Sequence, residues 1–197
     1  MSNEKKQVKI GLTGGIGSGK TFVGTILSKL EMPVFNADIE AKKSMDKDEL
    51  LKKEIQNVFG DEIYQNGILQ NFFLAEIIFN DKQKLEDLNQ LVHPVVKQRF
   101  KDWCVNQTSR IVIKEAAILF ESNSHLGLDK VICVLANENI RIERVIKRDN
   151  ISREQVLARI ESQMSQNAKE KLSDFVIVND GAELLLPQII KIMTQIS

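Results

Sequence analysis

Short apolar runs rich in β-branched residues recur along the chain, and longer stretches with helical spacing separate them. The runs lie at residues 8–13, 33–36, 111–113, 130–135 and 175–178. The last four of them do not alternate apolar with polar positions, which is typical of parallel strands that helices cover on both faces. The pattern therefore predicts an α/β fold, in which helices flank a parallel sheet and right-handed crossovers join its strands.

Residues 45–108 differ from the rest of the chain because they carry helical patterns and no convincing strand. We interpret this stretch as a helical lobe inserted into a core made of residues 1–44 and 109–197. The charged run at 42–54 is most simply the solvated face of a helix. The sequence thus predicts one domain with an inserted lobe.

A second helical region follows the fourth apolar run. Ser152 and Gln155 form a capping-box pattern, which predicts a helix that begins near Arg153. The residues before it, 138–147, have the spacing of a separate helix. We expect residues 148–150 to join the two helices.

Composition narrows the classes of function. The chain has 197 residues, 43% of them hydrophobic, and its 27 basic residues balance its 27 acidic ones, so it lacks the basic footprint of nucleic-acid binders. No apolar run approaches the roughly 20 residues of a membrane span, and the N-terminus lacks a signal-peptide apolar core. Cys104 and Cys133 have no metal-binding spacing. These features predict a soluble cytoplasmic protein without membrane or nucleic-acid partners, and they leave its oligomeric state open.

The segment Gly14–Thr21, here called the glycine loop, fits the pattern G-x-x-x-x-G-K-[ST] between a strand and an amphipathic helix. In such a loop, backbone amides and a helix N-terminus bind a polyphosphate. Lys20 is expected at the β- and γ-phosphates and Thr21 at Mg²⁺. Because the chain lacks a guanine-reading N-K-x-D segment and a tandem loop, a small-molecule kinase is favoured over a switch GTPase or a motor.

Two carboxylates follow strands at the edge where open α/β sheets bind ligands. Asp38 comes just after the second run and suits a base for an attacking hydroxyl, although it suits equally an N-cap for a helix from Ile39. Glu115 comes after the third run and suits a metal-supporting acid, with a surface salt bridge as the alternative.

Three arginines recur at i, i+3 and i+7 after the fourth strand, at Arg141, Arg144 and Arg148. If one helix carries them, they share a face that can point at a polyphosphate, and the planar guanidinium pairs well with phosphate oxygens. A solvated helix face is the alternative interpretation.

The chain resembles the dephospho-CoA kinase family along nearly its whole length. The motifs that carry the resemblance are GLTGGIGSGK at 11–20, Ala37-Asp38, Asn66-Gly67 followed by 74–79, His93-Pro94, Ile118 to Glu121, Arg144-x-x-x-Arg148-Asp149, Ile160-x-x-Gln163, and Val176 to Asn179 with Gly181. Several of them are not generic to phosphate-loop kinases, so the combination is specific.

The resemblance implies transfer of the ATP γ-phosphoryl group to the ribose 3′-hydroxyl of dephospho-CoA, with Mg²⁺, as the last step of coenzyme A synthesis. It implies a fold like that of nucleoside monophosphate kinases, with a five-stranded parallel core, a helical substrate lobe and a lid at about 138–165. Asp38, Lys20 and Arg148 would be the catalytic residues, and Asp38, His93 and Arg148 would meet the acceptor. Thr21 and Glu115 would serve the metal. ATP would be bound by Gly15, Ile16, Gly17, Ser18, Gly19, Lys20, Thr21, Phe22, Arg144, Asn179 and Gly181.

The chain departs from the family pattern at several of these positions. Asn36 stands where the family often has a first Asp, so Asp38 is the acid left for the base. Glu115 stands where the family often has Asp. Pro94 suits the first position of a helix as well as a substrate motif, and His93 suits a structural role as well as a ligand-facing one. Two alternatives stay open: a kinase for another small molecule, such as a nucleotide or a sugar, and a nucleotide-binding regulatory protein without an acceptor.

Overall fold

This computed structural model describes residues 7–196, and it confirms the predicted α/β fold. Five parallel strands form one sheet in the order β2-β5-β1-β6-β7. By its internal contacts the chain divides into two compact units, Met1–Asn36 with Gln107–Ser197, and Ala37–Asn106. The strands of the sheet, all in the first unit, are β1 (Val8–Thr13), β2 (Val34–Asn36), β5 (Ile111–Glu115), β6 (Lys130–Leu135) and β7 (Phe175–Val178).

The strands of this sheet are largely buried, as their apolar runs predict. Ile10, Leu12, Ile113, Ile132 and Val134 have no exposed surface. In the parallel register, both Leu12 of β1 and Asn36 of β2 align with Glu115 of β5. The carboxyl-terminal ends of three strands therefore lie together at one edge of the sheet.

The helices of the first unit are amphipathic and pack their apolar faces on the sheet or on each other. Ile142, Val145 and Val156 form a second, smaller core between two of them, against which Ile16 of the glycine loop packs. The helices are α1 (Lys20–Lys29), α6 (Glu138–Asp149), α7 (Arg153–Glu161), α8 (Gln166–Leu172) and α9 (Leu185–Ile196).

The predicted capping box is confirmed at the start of α7. The Ser152 hydroxyl accepts from the Gln155 amide at 3.3 Å, and the Gln155 side chain accepts from the Ser152 amide at 3.0 Å. The preceding helix α6 runs to Asp149, however, two residues beyond the predicted end at 147. Asn150 then adopts the left-handed conformation, with a φ of 52°, and stops the helix.

The second unit consists mainly of helices. Its elements are α2 (Ala37–Lys47), α3 (Glu49–Phe59), a 3₁₀ turn (Asp61–Ile63), β3 (Tyr64–Gln65), β4 (Ile68–Leu69), α4 (Asn71–Asn80) and α5 (Lys82–Val105). Leu51 and Ile55 of α3, together with Leu88, Val92 and Val96 of α5, are buried.

The structure corrects two expectations about this unit. The absence of a strand is wrong, because β3 and β4 form a short antiparallel hairpin around Asn66 and Gly67, which both have positive φ. Pro94 does not start a helix either, since α5 continues through it. Pro94 removes only one backbone hydrogen bond from a long helix whose buried apolar stripe continues on both sides.

Among residues 7–196, no helix is long and apolar enough to cross a membrane.

Candidate functional site

The glycine loop joins β1 to α1 in the conformation of a phosphate-binding loop. Gly19 is the N-cap residue of α1, with a φ of 92°, and it provides no side-chain cap for the first-turn amides. The N-terminus of α1 therefore has no capping side chain from Gly19, and its partial positive charge favours a negative ligand. Gly17 has a φ of 77°, and a Cβ there would lie 2.4 Å from the carbonyl oxygen of Arg141, so glycine is needed twice over.

Side chains from later in the chain hold the loop backbone in place. The Ile16 amide donates to the Gln163 side chain at 3.0 Å, and the Ile16 carbonyl accepts from Nε of Arg141 at 2.9 Å. The Ser18 carbonyl accepts from the Asn179 side chain at 2.8 Å. Residues of α6, of the segment after α7 and of the segment after β7 therefore fix a loop more than a hundred residues earlier.

Glu115 lies beside the glycine loop at the end of β5. Only 3% of its surface is exposed, so the surface salt-bridge interpretation is wrong. Its carboxylate accepts from the Thr21 hydroxyl at 2.6 Å and from the Asn36 side-chain amide at 3.0 Å. Since the hydroxyl proton of Thr21 points at Glu115, the lone pairs of that oxygen stay available to a cation.

Asp38 lies in the first turn of α2, in the second unit, with its side chain exposed. Because the helix already begins at Ala37, Asp38 is its second residue, and the N-cap interpretation is wrong. A carboxylate at this position is still stabilised by the positive end of the helix. In the chain it follows Asn36, the Glu115 partner, by two residues.

The three arginines share α6, and they have different surroundings. Arg141 is 4% exposed and lies against the glycine loop, so the solvated-face interpretation is wrong for it. Arg144 donates from Nη1 to the Asn179 carbonyl at 3.0 Å. Arg148 is largely exposed and pairs with Asp149 through two bonds of 2.6 and 3.0 Å.

The ion pair of Arg148 also affects its partner. The Arg148 guanidinium holds the pKa of the Asp149 carboxyl below its usual value, and Arg159 adds a contact of 2.8 Å to the same carboxylate. In this conformation Arg148 is thus engaged within the helical pair α6 and α7.

Sequence reasoning missed a buried lysine near the loop. Lys169 of α8 has no exposed surface, forms an ion pair of 2.8 Å with Glu121, and donates to the Ala117 carbonyl. Glu121 also accepts from the Met164 amide at 2.9 Å. No sequence signal marked Lys169, because a lysine in a helix is by default expected in solvent.

Comparison with known proteins decides the family. The family model described as dephospho-CoA kinase matches residues 8–184. The chain belongs to the dephospho-CoA kinase family. It is 38% identical over 187 residues to the dephospho-CoA kinase of Bacteroides fragilis, covering 94% of this chain and 91% of the relative. It is 39% identical over 178 residues to that of Bacillus cereus, covering 88% and 89%.

Solved structures agree with this family. A Thermus thermophilus protein superposes with a TM-score of 0.88 at 30% identity, covering 98% of this chain and 100% of the other. The dephospho-CoA kinase of Campylobacter jejuni superposes with a TM-score of 0.68 at 25% identity, with 96% of both chains covered. A shikimate kinase from Acinetobacter baumannii, at a TM-score of 0.57 and 16% identity, shares the fold, with 98% and 94% covered. Like its family, the chain is a kinase that uses ATP.

The remaining residues suggested by the dephospho-CoA kinase resemblance lie in different surroundings. Phe22 projects from α1 with 61% of its surface exposed. Gly181 follows Asn179 in the loop after β7, with a φ of 91° and open space where a Cβ would stand. His93 is half-buried in α5 of the second unit.

Proposed function

We propose that this kinase transfers the γ-phosphoryl group of ATP to the ribose 3′-hydroxyl of dephospho-CoA, giving CoA and ADP. The observation that carries the proposal is the bond between Thr21 of the glycine loop and the buried Glu115, in a chain that the family model matches over residues 8–184. The acceptor is an alcohol, and the sequence predicts the cytoplasm as the compartment.

The residues around Thr21 suit Mg²⁺, which prefers oxygen ligands and keeps several waters. Thr21 would coordinate the ion directly and Glu115 through a water, and the ion would neutralise charge on the phosphates. Within residues 7–196 no group of three or more His, Cys, Asp or Glu side chains is placed to hold a metal by itself. The phosphates and waters would supply the other ligands.

The glycine loop would align the triphosphate. Its amides and Lys20 would bind the β- and γ-phosphates, while Asn179 and Gly181 would border the adenine. The bonds of Gln163 and Asn179 to the loop backbone support this role, because a preformed cradle needs little reorganisation when the nucleotide binds.

Asp38 would accept the proton of the attacking 3′-hydroxyl. Its place two residues after Asn36, whose side chain bonds Glu115, supports this assignment, as does its exposure to an incoming substrate. His93 would contact the acceptor from the helical second unit.

We also propose that α6 and α7, within residues 138–165, act as a lid. Their shared core, Ile142 with Val145 and Val156, holds the two helices together, while Ile16 and Arg141 keep the start of α6 against the glycine loop. Arg144 and Arg148, further along α6, would reach the phosphates on closure. Hydrogen exchange over 138–165 should slow when a non-hydrolysable ATP analogue binds. Equal exchange rates with and without the analogue would contradict a lid.

An acceptor panel tests the proposal. ADP release from MgATP is measured with dephospho-CoA, AMP, UMP, shikimate or no acceptor, for the unmodified chain and for Asp38→Asn. Stimulation by dephospho-CoA alone is expected, with turnover of Asp38→Asn lower by roughly 10²–10⁴ and ATP affinity retained. Asp46→Asn is the matched control, because Asp46 is an exposed acid in the same helix α2, and it should keep the turnover and the ATP affinity of the unmodified chain.

The other outcomes separate the alternatives. Stimulation by AMP, UMP or shikimate instead would mean a kinase with a different acceptor. Slow ATP turnover that no acceptor changes would favour a regulatory nucleotide-binding protein. Normal turnover of the Asp38→Asn variant would mean that Asp38 is not the base.

A further inference from the structure

Arg141 is a buried cation packed against the glycine loop. Its Nε donates to the Ile16 carbonyl at 2.9 Å, and its side chain passes so close to Gly15 that a Cβ there would lie 2.5 Å from Nη2. Its own backbone contacts Gly17 in the same way. Because Gly15 and Gly17 lack side chains, they leave the space that Arg141 fills.

The charge of Arg141 has no paired acid. Among residues 7–196 no carboxylate lies within ion-pair distance of its guanidinium; Glu138, one turn earlier on α6, acts on it only through space. Burial lowers the pKa of Arg141, although an arginine remains charged at any physiological pH. A buried charge without a counter-ion is unfavourable, and buried charges are normally paired or bound to a ligand of opposite sign.

The neighbouring arginines on α6 are less buried than Arg141. Arg144 donates to the Asn179 carbonyl, and Arg148 is paired with Asp149. Arg144 also lies near the loop, with its Nη1 3.8 Å from where a Cβ of Gly19 would stand. Arg141 differs from both because it is almost fully buried and bonds the loop backbone directly. The anion that enters this loop is therefore the nearest candidate for its counter-charge.

We infer that Arg141 is a positioning residue that fixes the Gly15–Gly17 backbone and adds a permanent positive charge beside it, which selects a nucleoside triphosphate over a monophosphate. The inference rests on the proposed use of the loop for ATP. It concerns the nucleotide alone and needs no acceptor. Nε–H holds the Ile16 carbonyl, while the rest of the guanidinium attracts the phosphate chain at short range.

Nucleotide binding to the variants tests this role. Dissociation constants for ATP and AMP are measured by calorimetry for the unmodified chain, Arg141→Met, Arg141→Gln and Arg141→Lys, without dephospho-CoA. Met removes the charge and the hydrogen bond, Gln can keep a donor without charge, and Lys keeps the charge. Arg110→Met is the matched control, because Arg110 is exposed just before β5, at the opposite edge of the sheet.

The quantity that decides is the preference for ATP over AMP, measured as the ratio of the two dissociation constants. We expect Arg141→Met and Arg141→Gln to weaken the binding of ATP about tenfold and the binding of AMP less than about threefold, which is the effect of removing one partly screened cation. Arg141→Lys and Arg110→Met should keep the ratio. If Arg141→Met does not fold, Arg141→Gln carries the same test.

An unchanged ratio of the two dissociation constants in both neutral variants would overturn the inference, because the loss of a purely structural residue weakens the binding of both nucleotides equally. The experiment also distinguishes failure of this inference from failure of the proposed function. If the unmodified chain binds ATP but never phosphorylates dephospho-CoA, the proposed function fails and the ratio still tests Arg141. If it binds no ATP, both fail.

Discussion

Replacing Glu115 with glutamine removes a charge from beside the glycine loop and keeps the shape of the side chain. In the native structure its two oxygens accept from Thr21 at 2.6 Å and from Asn36 at 3.0 Å. A glutamine has only one oxygen to offer. Either Asn36 loses its acceptor, or the Thr21 hydroxyl turns to accept from the new amide and gives up a lone pair that the metal would use.

The size of the effect follows from these bonds. A hydrogen bond to a charged group contributes about 1.5–3 kcal/mol, and removing a group that supports a metal ligand weakens metal affinity roughly 10–100-fold. We expect the Mg²⁺ concentration for half-maximal activity of Glu115→Gln to rise by roughly that factor. Glu115→Asp keeps the charge with a reach shorter by about 1.5 Å, so its effect should be smaller, with a water restoring the contact to Thr21.

The assay is ADP release against Mg²⁺ concentration at fixed ATP and dephospho-CoA, with thermal unfolding in parallel. Asp174→Asn is the matched control, because this carboxylate also accepts two bonds, from Lys130 and Val131, just before β7 at the opposite edge of the sheet. It should lose stability without a change in Mg²⁺ dependence. A Glu115→Gln variant with the native Mg²⁺ dependence would refute the metal-supporting role.

Three further predictions concern other parts of the first unit. Lys169→Met should lower the free energy of unfolding by roughly 2 kcal/mol in urea titrations, because Glu121 and the Ala117 carbonyl both lose their charged donor, while Glu121 keeps its bond from Met164. The double variant with Glu121→Gln should recover part of the loss, and a loss below about 0.5 kcal/mol would contradict a contributing pair. Cys133 should react with iodoacetamide at pH 8 only after denaturation, since burial raises its pKa to about 11 and keeps the thiol protonated; fast labelling of the native protein would count against this. Lys20→Ala should raise the KM for ATP and lower kcat, and normal kinetics would argue against the phosphate cradle.

Much of the fold was predictable because the sheet carries a simple signal. Its strands are largely buried, most of them appear as short apolar runs, and all five runs are strands in the structure. The hairpin β3–β4 was missed because its strands have two residues each, too few for a pattern. Its signal was the Asn66-Gly67 pair, which favours a tight hairpin turn.

The site was predictable where a local motif carries it and not where distant segments meet. The glycine loop and Glu115 follow directly from strand, loop and strand end. The contacts of Arg141 and Lys169 do not, because a charged helical residue is expected in solvent and only tertiary packing buries it. Spacing placed three arginines on one helix, but it could not tell which one lies under the loop.

The most direct test of the proposed reaction is the structure of its product. The chain is incubated with MgATP and dephospho-CoA, and the product is identified by mass and by phosphorus NMR, with ADP counted in the same sample. We predict one new phosphomonoester on the ribose 3′-oxygen for each ADP formed, with the pyrophosphate bridge intact. ADP without a new monoester, or a monoester on another oxygen, would contradict transfer to the 3′-hydroxyl.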